Sequence, residues 1–299
     1  MGLMVLATTL WGAASAGIAH LAADGGGPAT VAAGGGAATL LALAAIRGSR
    51  PWRALRKDWS LFLRLGLLEV LNLALFVTAL RLGPLSPVVA LHLTSPVILL
   101  GFALVTRRRK ITWTVLTELG LLATAITLIS VRASTNGSGT AASVTACVLA
   151  VASAGCVAAL ISIVATRSST MDAMTSAGLQ LGAASCLGLP LLAWTPLPGS
   201  AIVELAAIGA GLLGPGFIFF WLALRRLDAP TAGVLGLNEA VAAPVIAAIV
   251  FGTAITAISV VATAVILAAV ALEVRSTRPD RREILSGTTT ADLDGTPVS

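Results

Sequence analysis

The chain of 299 residues has little of what a soluble enzyme uses. Only 11% of its residues are charged, and it contains two histidines, three cysteines and no tyrosine. The cysteines are odd in number and all lie in apolar runs (Cys147, Cys156 and Cys186), so they indicate neither a disulfide framework nor a metal site. The sequence also has no HExxH zinc motif, no GxSxG nucleophile motif and no phosphate-binding loop. We therefore expect no enzyme activity, no metal and no cofactor.

What remains is strongly apolar: 57% of the residues are hydrophobic and the mean hydropathy is +0.97. This composition is that of a membrane protein with several spans and not of a soluble domain. A window of about 19 residues finds ten stretches that can cross a bilayer as a helix. They cover residues 2–22, 28–47, 60–81, 86–106, 112–131, 141–166, 173–194, 201–222, 231–251 and 254–273. The fold class is thus predicted as an all-α membrane protein with ten transmembrane helices.

The cations predict the orientation of these helices. If the N-terminus is cytoplasmic, seventeen of the nineteen Lys and Arg residues lie on the inner side, and only Arg81 and Arg132 lie outside. This is a strong positive-inside signal, which predicts a cell (inner) membrane protein with both termini in the cytoplasm. The same distribution over short loops argues against nucleic-acid binding, despite the net charge of +6. The first span lacks the positive flank of a signal peptide, and we interpret it as a retained helix.

The two halves of the chain resemble each other. Residues Phe76–Ile98 and Phe220–Ile246 both run from an aromatic residue through Ala-Leu-Arg and a proline-containing turn to Pro-Val-Ile. This match equates spans three and four with spans eight and nine, so the repeating unit has five helices. Because five is odd, the second unit is inverted in the membrane, as in many secondary transporters. We predict a first repeat at 1–132, an external linker at 133–140, a second repeat at 141–273 and a disordered cytoplasmic tail at 274–299.

Few polar side chains lie inside the spans, and a charged residue there usually faces a cavity or a partner. The candidates for a substrate or proton pathway are Glu69, Asn72, His92, Asn238 and Glu239. Glu69 and Asn72 are three residues apart and hence share a helix face. Glu239, with His92 in the corresponding helix of the other half, is expected to take up and release a proton or to bind a substrate ammonium group. The alternative is that these residues are neutral and only fix the packing of the helices.

Three prolines lie within predicted spans four, eight and nine: Pro96, Pro215 and Pro244. A proline removes a backbone hydrogen bond, and the carbonyl that it frees is tolerated in a membrane only where protein or water satisfies it. We therefore expect helix breaks at these three positions, either beside a cavity or as simple packing kinks.

At these residues the sequence resembles the EamA family of the drug/metabolite transporter superfamily, and within it the threonine/homoserine exporter branch. The fourth span matches a pattern of that branch at identical spacing through Pro84, Leu85, Ala90, Leu91, Thr94 and Pro96. Trp11-Gly12 matches the Trp-Gly of the family's first helix, and Glu239 matches an acid in its ninth. Two departures weaken the transfer of a substrate, since His92 replaces a glutamate and Ala240 replaces a proline. The resemblance implies a central cavity between helices 1, 3, 4, 6, 8 and 9, with Trp11 and Thr94 added to its candidate residues.

The sequence and the resemblance together predict a secondary transporter that exports small amino acids or related metabolites, driven by protons or by exchange. Efflux of drugs or other metabolites is one alternative, and a membrane scaffold or sensor without transport is another. The expected partners are a small-molecule substrate and the lipid bilayer, and homodimer formation is left open.

Overall fold

The computed structural model describes residues 1–21, 26–82, 85–107, 112–134, 144–193, 197–252 and 257–276. Pro84, most of the expected linker and the tail beyond Ser276 lie outside the described residues. The described part forms thirteen α-helices and no β-strand. They are α1 (Gly2–Leu21), α2 (Gly26–Ile46), α3 (Pro51–Leu82), α4 (Leu85–His92), α5 (Ser95–Val105), α6 (Trp113–Ser134), α7 (Val144–Arg167), α8 (Ala173–Leu192), α9 (Gly199–Ile208), α10 (Gly214–Ala223), α11 (Ala229–Gly236), α12 (Asn238–Phe251) and α13 (Ala257–Ser276).

The ten predicted spans are all helical, and three of them are divided. The fourth span consists of α4 and α5, the eighth of α9 and α10 joined by a π-helical turn (Gly209–Leu213), and the ninth of α11 and α12. Among the described residues, seven helical stretches are long and apolar enough to cross a membrane, and the fourth, fifth and tenth spans are not among these seven. The protein is therefore an all-helical protein with several candidate membrane spans.

The third helix is longer than predicted. It begins at Pro51, nine residues before the predicted start, and carries a kink at Asp58, whose φ is −121° and ψ is 31°. Proline suits the first turn of a helix, where its missing N–H leaves no bond unmade. The hydropathy window missed this segment because it contains Arg53, Arg56 and Lys57, which are good helix formers but poor membrane residues.

The prolines act differently at the three expected breaks. Helix α4 ends at His92, whose carbonyl would accept the N–H of residue 96 if that residue were not proline. Pro215 lies in the first turn of α10, directly after the π-helical turn. Helix α12 continues through Pro244, and the break in the ninth span lies earlier, at Leu237.

The helices pack around a core formed by both halves of the chain. Helix α2 lies against α8, α9 and the π-helical turn; α3 lies against α7 and α8; α1 lies against α10 and α12; and α6 lies against α13. Small residues permit the closest approach, since a side chain added at Gly35 or Gly209 would overlap the backbone of the opposite helix. The largest fully buried side chains include Phe62, Phe220 and Trp221. These contacts leave a cavity between the halves.

Candidate functional site

The cavity has a volume of about 620 Å³, which is in the range of small-molecule sites. Its wall includes residues from spans one, three, four, six, eight and nine, as the resemblance implied, and also from spans two and seven. Five of the seven candidate pathway residues lie in this wall: Trp11, Glu69, Asn72, His92 and Glu239. Pro96 and Pro244 also line it. Asn238 and Thr94 are not part of the wall.

Glu239 is the second residue of α12 and is held by α1. Ser15 donates a hydrogen bond from Oγ to Oε1 of Glu239 at 3.0 Å. The two helices can approach at this level because Gly12, three residues before Ser15, lies against the backbone of Ala242 and Ala243. Among the described residues the carboxyl group therefore has one hydrogen-bond partner, and Glu239 also lines the cavity.

Asn238 secures the same helix pair from outside the cavity. Its Nδ2 donates to Oγ1 of Thr8 at 3.1 Å and to Oγ1 of Thr9 at 3.0 Å. Thr8 and Thr9 donate their own hydroxyl protons back to α1 carbonyls, so both oxygens are available as acceptors. Asn238 is thus a helix-packing residue. Thr94 has a similar local role, since its Oγ1 donates to the carbonyl of Leu91 at 2.6 Å in the break between α4 and α5.

Glu69 lies at the end of a buried hydrogen-bond chain. Gln180 on α8 donates from Nε2 to Oε2 of Glu69 at 3.4 Å, and Trp221 on α10 donates from Nε1 to Oε1 of Gln180 at 3.0 Å. Gln180 and Trp221 are both 0% exposed, so neither amide nor indole has water as a substitute partner. The chain fixes the orientation of the Glu69 carboxyl at the cavity wall.

His92 belongs to a second chain that connects α3, α4 and α7. Oγ of Ser153 lies 2.7 Å from Oδ1 of Asn72, 3.1 Å from the Asn72 carbonyl oxygen and 2.8 Å from Nδ1 of His92. Ser153 has one proton, and both Asn72 oxygens are acceptors, so the serine donates to Asn72 and accepts from His92. The neutral imidazole then carries its proton on Nδ1 and its lone pair on Nε2. The ring packs on Phe76 with centroids 4.3 Å apart.

Aromatic rings form the apolar part of the wall. Trp11 packs against Phe217 and Phe220 with centroid distances of 4.9 and 5.2 Å, and all three line the cavity. The Trp11 Nε1 atom is buried without an acceptor among the described residues, and it faces Gly216, where an added Cβ would be 2.6 Å away. The ring face, and not the N–H, is what Trp11 offers to a ligand.

Ser15 and Ser153 were missed by the sequence reasoning, although a signal for them exists. Both lie in the same tetrapeptide, Ala-Ser-Ala-Gly, which occurs at Ala14–Gly17 in α1 and again at Ala152–Gly155 in α7. Each serine holds the polar residue of the divided helix that packs against it, Glu239 in one case and His92 in the other. A search for short repeats between the first and sixth spans would have found the pair.

The wall is acidic and holds no permanent cation. Among the described residues, neither Lys nor Arg lines the cavity, whereas two carboxyl groups do, from Glu69 and Glu239. No group of three or more His, Cys, Asp or Glu side chains in the described part of the chain is placed to hold a metal ion. The arrangement suits an organic ligand with a cationic nitrogen and an apolar body.

Comparisons with known proteins agree with a polytopic helical membrane protein. Residues 144–275 match the family model of the EamA-like transporter family, so the second half of the chain is an EamA-like domain. The crystal structure of another protein has the same fold, with a TM-score of 0.73 over 93% of this chain and 98% of the other, at 18% identity. No curated protein matches the sequence.

Proposed function

We propose that the whole chain, and not only residues 144–275, is an EamA-type secondary transporter built from two inverted repeats of five helices. The contacts between helices support this, because exchanging the halves converts one contact into another. The contact of α3 with α7 becomes that of α10 with α1, and the contacts of α4 and α5 with α7 become those of α11 and α12 with α1; α2 with α8 and α6 with α13 are their own counterparts. Each of two serines bonds a polar residue of the divided span that packs on its helix: Ser15 bonds Glu239 in the ninth span, and Ser153 bonds His92 in the fourth.

The transporter exports small amino acids or related metabolites, and the substrate group that the wall is suited to bind is the ammonium group. The observation that supports this best is the cavity between the halves, whose wall carries Glu69 and Glu239 and no Lys or Arg among the described residues. A carboxyl group that binds either a proton or an ammonium group allows the two to be exchanged, so coupling to protons or to a second substrate needs no nucleotide. The halves would expose this site to each side of the membrane in turn.

Efflux of lipophilic cationic drugs is a second candidate, and the aromatic wall of Trp11, Phe76, Phe217 and Phe220 favours it. The distribution of cations in the sequence supports an inner-membrane location with both termini in the cytoplasm for either candidate. A homodimer is compatible with both.

Growth protection distinguishes these candidates. Cells that express the protein are challenged with inhibitory amino acids and their toxic analogues, and in parallel with cationic drugs. Amino-acid export predicts protection against the first panel, retained in Glu204→Gln, whose acid is exposed on α9, and lost in Glu239→Gln. Protection only against the drugs would favour efflux, and protection against neither by protein at full expression would favour the scaffold.

A further inference from the structure

Each half of the chain supplies the cavity with a polar side chain that a serine of the other half holds, and the two side chains differ in chemistry. Ser15 on α1 bonds a carboxyl group, that of Glu239, whereas Ser153 on α7 bonds an imidazole, that of His92. Each serine is the second residue of an Ala-Ser-Ala-Gly tetrapeptide. The second half of the chain therefore contributes the Glu239 carboxyl group to the cavity, and the first half contributes Glu69 and His92.

In the neutral tautomer that its contacts favour, His92 presents an acceptor. Its Nδ1 proton is used by Ser153, and Ser153 in turn is fixed by the two oxygens of Asn72, at 2.7 and 3.1 Å. Nε2 makes no hydrogen bond within the described part of the chain, and His92 lines the cavity. An unprotonated imidazole nitrogen accepts a hydrogen bond and adds no charge. The site thus combines Glu239 and Glu69 with a neutral acceptor.

Such a wall suits one ligand chemistry. A protonated primary amine brings a positive charge for the carboxyl groups and N–H donors for the Nε2 atom of His92. A carboxylate on the ligand would enter beside two protein carboxyl groups, with neither Lys nor Arg in the described wall to pair with it. The aromatic rings of Trp11, Phe76, Phe217 and Phe220 suit an aryl or alkyl body.

We propose that the cavity recognises a protonated primary amine, in preference both to the amino acid with the same side chain and to the N-trimethylated form of that amine. The proposal rests on the proposed function, because it assigns a substrate class to the same cavity. In this site His92 is a specificity-determining residue that accepts a hydrogen bond from an N–H donor of the ligand. Ser153 and Asn72 are positioning residues that hold the imidazole in the tautomer with an unprotonated Nε2.

Three probes test this on the full chain purified in detergent: phenethylamine, phenylalanine and N,N,N-trimethylphenethylammonium. They share a phenethyl body; phenylalanine adds a carboxylate, and the trimethylated probe carries three methyl groups in place of the N–H donors. Titration calorimetry should find phenethylamine bound about tenfold or more tightly than either of the others. The trimethylated probe loses a hydrogen bond to a charged group, which is worth about that factor in affinity, and phenylalanine brings an unpaired carboxylate into the acidic wall. Equal or tighter binding of phenylalanine would overturn the proposal, as would equal binding of the trimethylated probe or no binding of any probe.

Two variants separate recognition from packing. His92→Phe keeps an aromatic ring against Phe76 but loses the acceptor, so it should weaken phenethylamine about tenfold and leave the trimethylated probe unchanged. Ser153→Ala should act in the same direction on the same probe. An equal loss for both probes would show that these residues only support the fold, and would overturn their assigned roles.

The tautomer can be read without any ligand. His20 is the other histidine, so a His20→Gln background with ¹⁵N-labelled histidine gives the signals of His92 alone. The proposal expects a protonated Nδ1 and an unprotonated Nε2 at neutral pH, and the reverse would overturn it. Failure of the proposed function is a separate result: amine binding with no flux of any probe through liposomes would leave the recognition intact, whereas flux of amino acids without preference for amines would refute only the recognition.

Discussion

Adding one methyl group at Gly12 should separate α1 from α12. A Cβ built at this position would lie 2.8 Å from the Cβ of Ala242 and 2.8 Å from the backbone nitrogen of Ala243. Non-bonded carbon atoms normally approach to about 3.5 Å, so the helices must move apart by about 0.7 Å. Neither contact is the tip of a flexible side chain, and the strain cannot be relieved by a rotamer change.

The displacement has two measurable costs. Overpacking of this kind destabilises by about 1 to 3 kcal/mol, and the better helix propensity of alanine returns about 1 kcal/mol. Because the strain is not relieved, we take the upper end of that range and expect Gly12→Ala to lower the free energy of unfolding by about 2 kcal/mol. This lowers the thermal unfolding midpoint by a few degrees. If the Ser15 to Glu239 distance of 3.0 Å lengthens by the same amount as the helices, it passes the limit of a useful hydrogen bond.

The loss of stability is measured on protein heated in detergent, by size-exclusion chromatography with detection of tryptophan fluorescence. The matched control is Gly155→Ala, which lies in the Ala-Ser-Ala-Gly segment of α7 and whose Cβ would meet nothing within 4 Å. That variant should be as stable as the parent or slightly more stable. If Gly12→Ala equals or exceeds Gly155→Ala in stability, the close approach of α1 and α12 is refuted.

Two further substitutions test the buried networks. Gln180→Leu keeps the side-chain volume but leaves Trp221 without its acceptor and Glu69 without its donor. It should destabilise the protein by about 2 to 4 kcal/mol, as measured by the same thermal assay. An unchanged unfolding midpoint would mean that this hydrogen-bond network contributes no stability. Gly216→Ala places a carbon 2.6 Å from Nε1 of Trp11 and should displace the indole into the cavity, which shifts the tryptophan emission and weakens phenethylamine binding. Unchanged emission and binding would show that Trp11 is held elsewhere.

Hydropathy located most of the helices, because a span must satisfy its backbone internally and remain apolar over about 20 residues, but it missed the charged start of α3 at Pro51. Local geometry was harder to predict. Helix α4 ends at His92, whose carbonyl finds no N–H at Pro96. Helix α12 continues through Pro244, which lines the cavity, where a freed carbonyl is tolerated. The sequence alone does not show at which proline a helix ends and through which it continues, because this depends on what satisfies the freed carbonyl.

The acids of the site could be selected from the sequence because ionisable residues are rare within spans. Their partners could not, since serine and glutamine are common in membrane helices and their roles depend on which helices touch. Asn238 shows that a polar residue within a span does not always face the cavity. It is adjacent to Glu239 and equally polar, yet its position on the helix directs it to Thr8 and Thr9 and away from the cavity.

We propose that this chain moves small amine-bearing molecules through the cavity that Glu239 lines. The decisive test is counterflow. Proteoliposomes are preloaded with phenethylamine or phenylalanine, and the entry of the same compound in labelled form is measured. We expect the parent protein and Glu204→Gln, whose acid is exposed, to accumulate at least one probe, and Glu239→Gln at equal reconstitution to accumulate neither. No accumulation by the parent protein, or equal accumulation by Glu239→Gln, would contradict it.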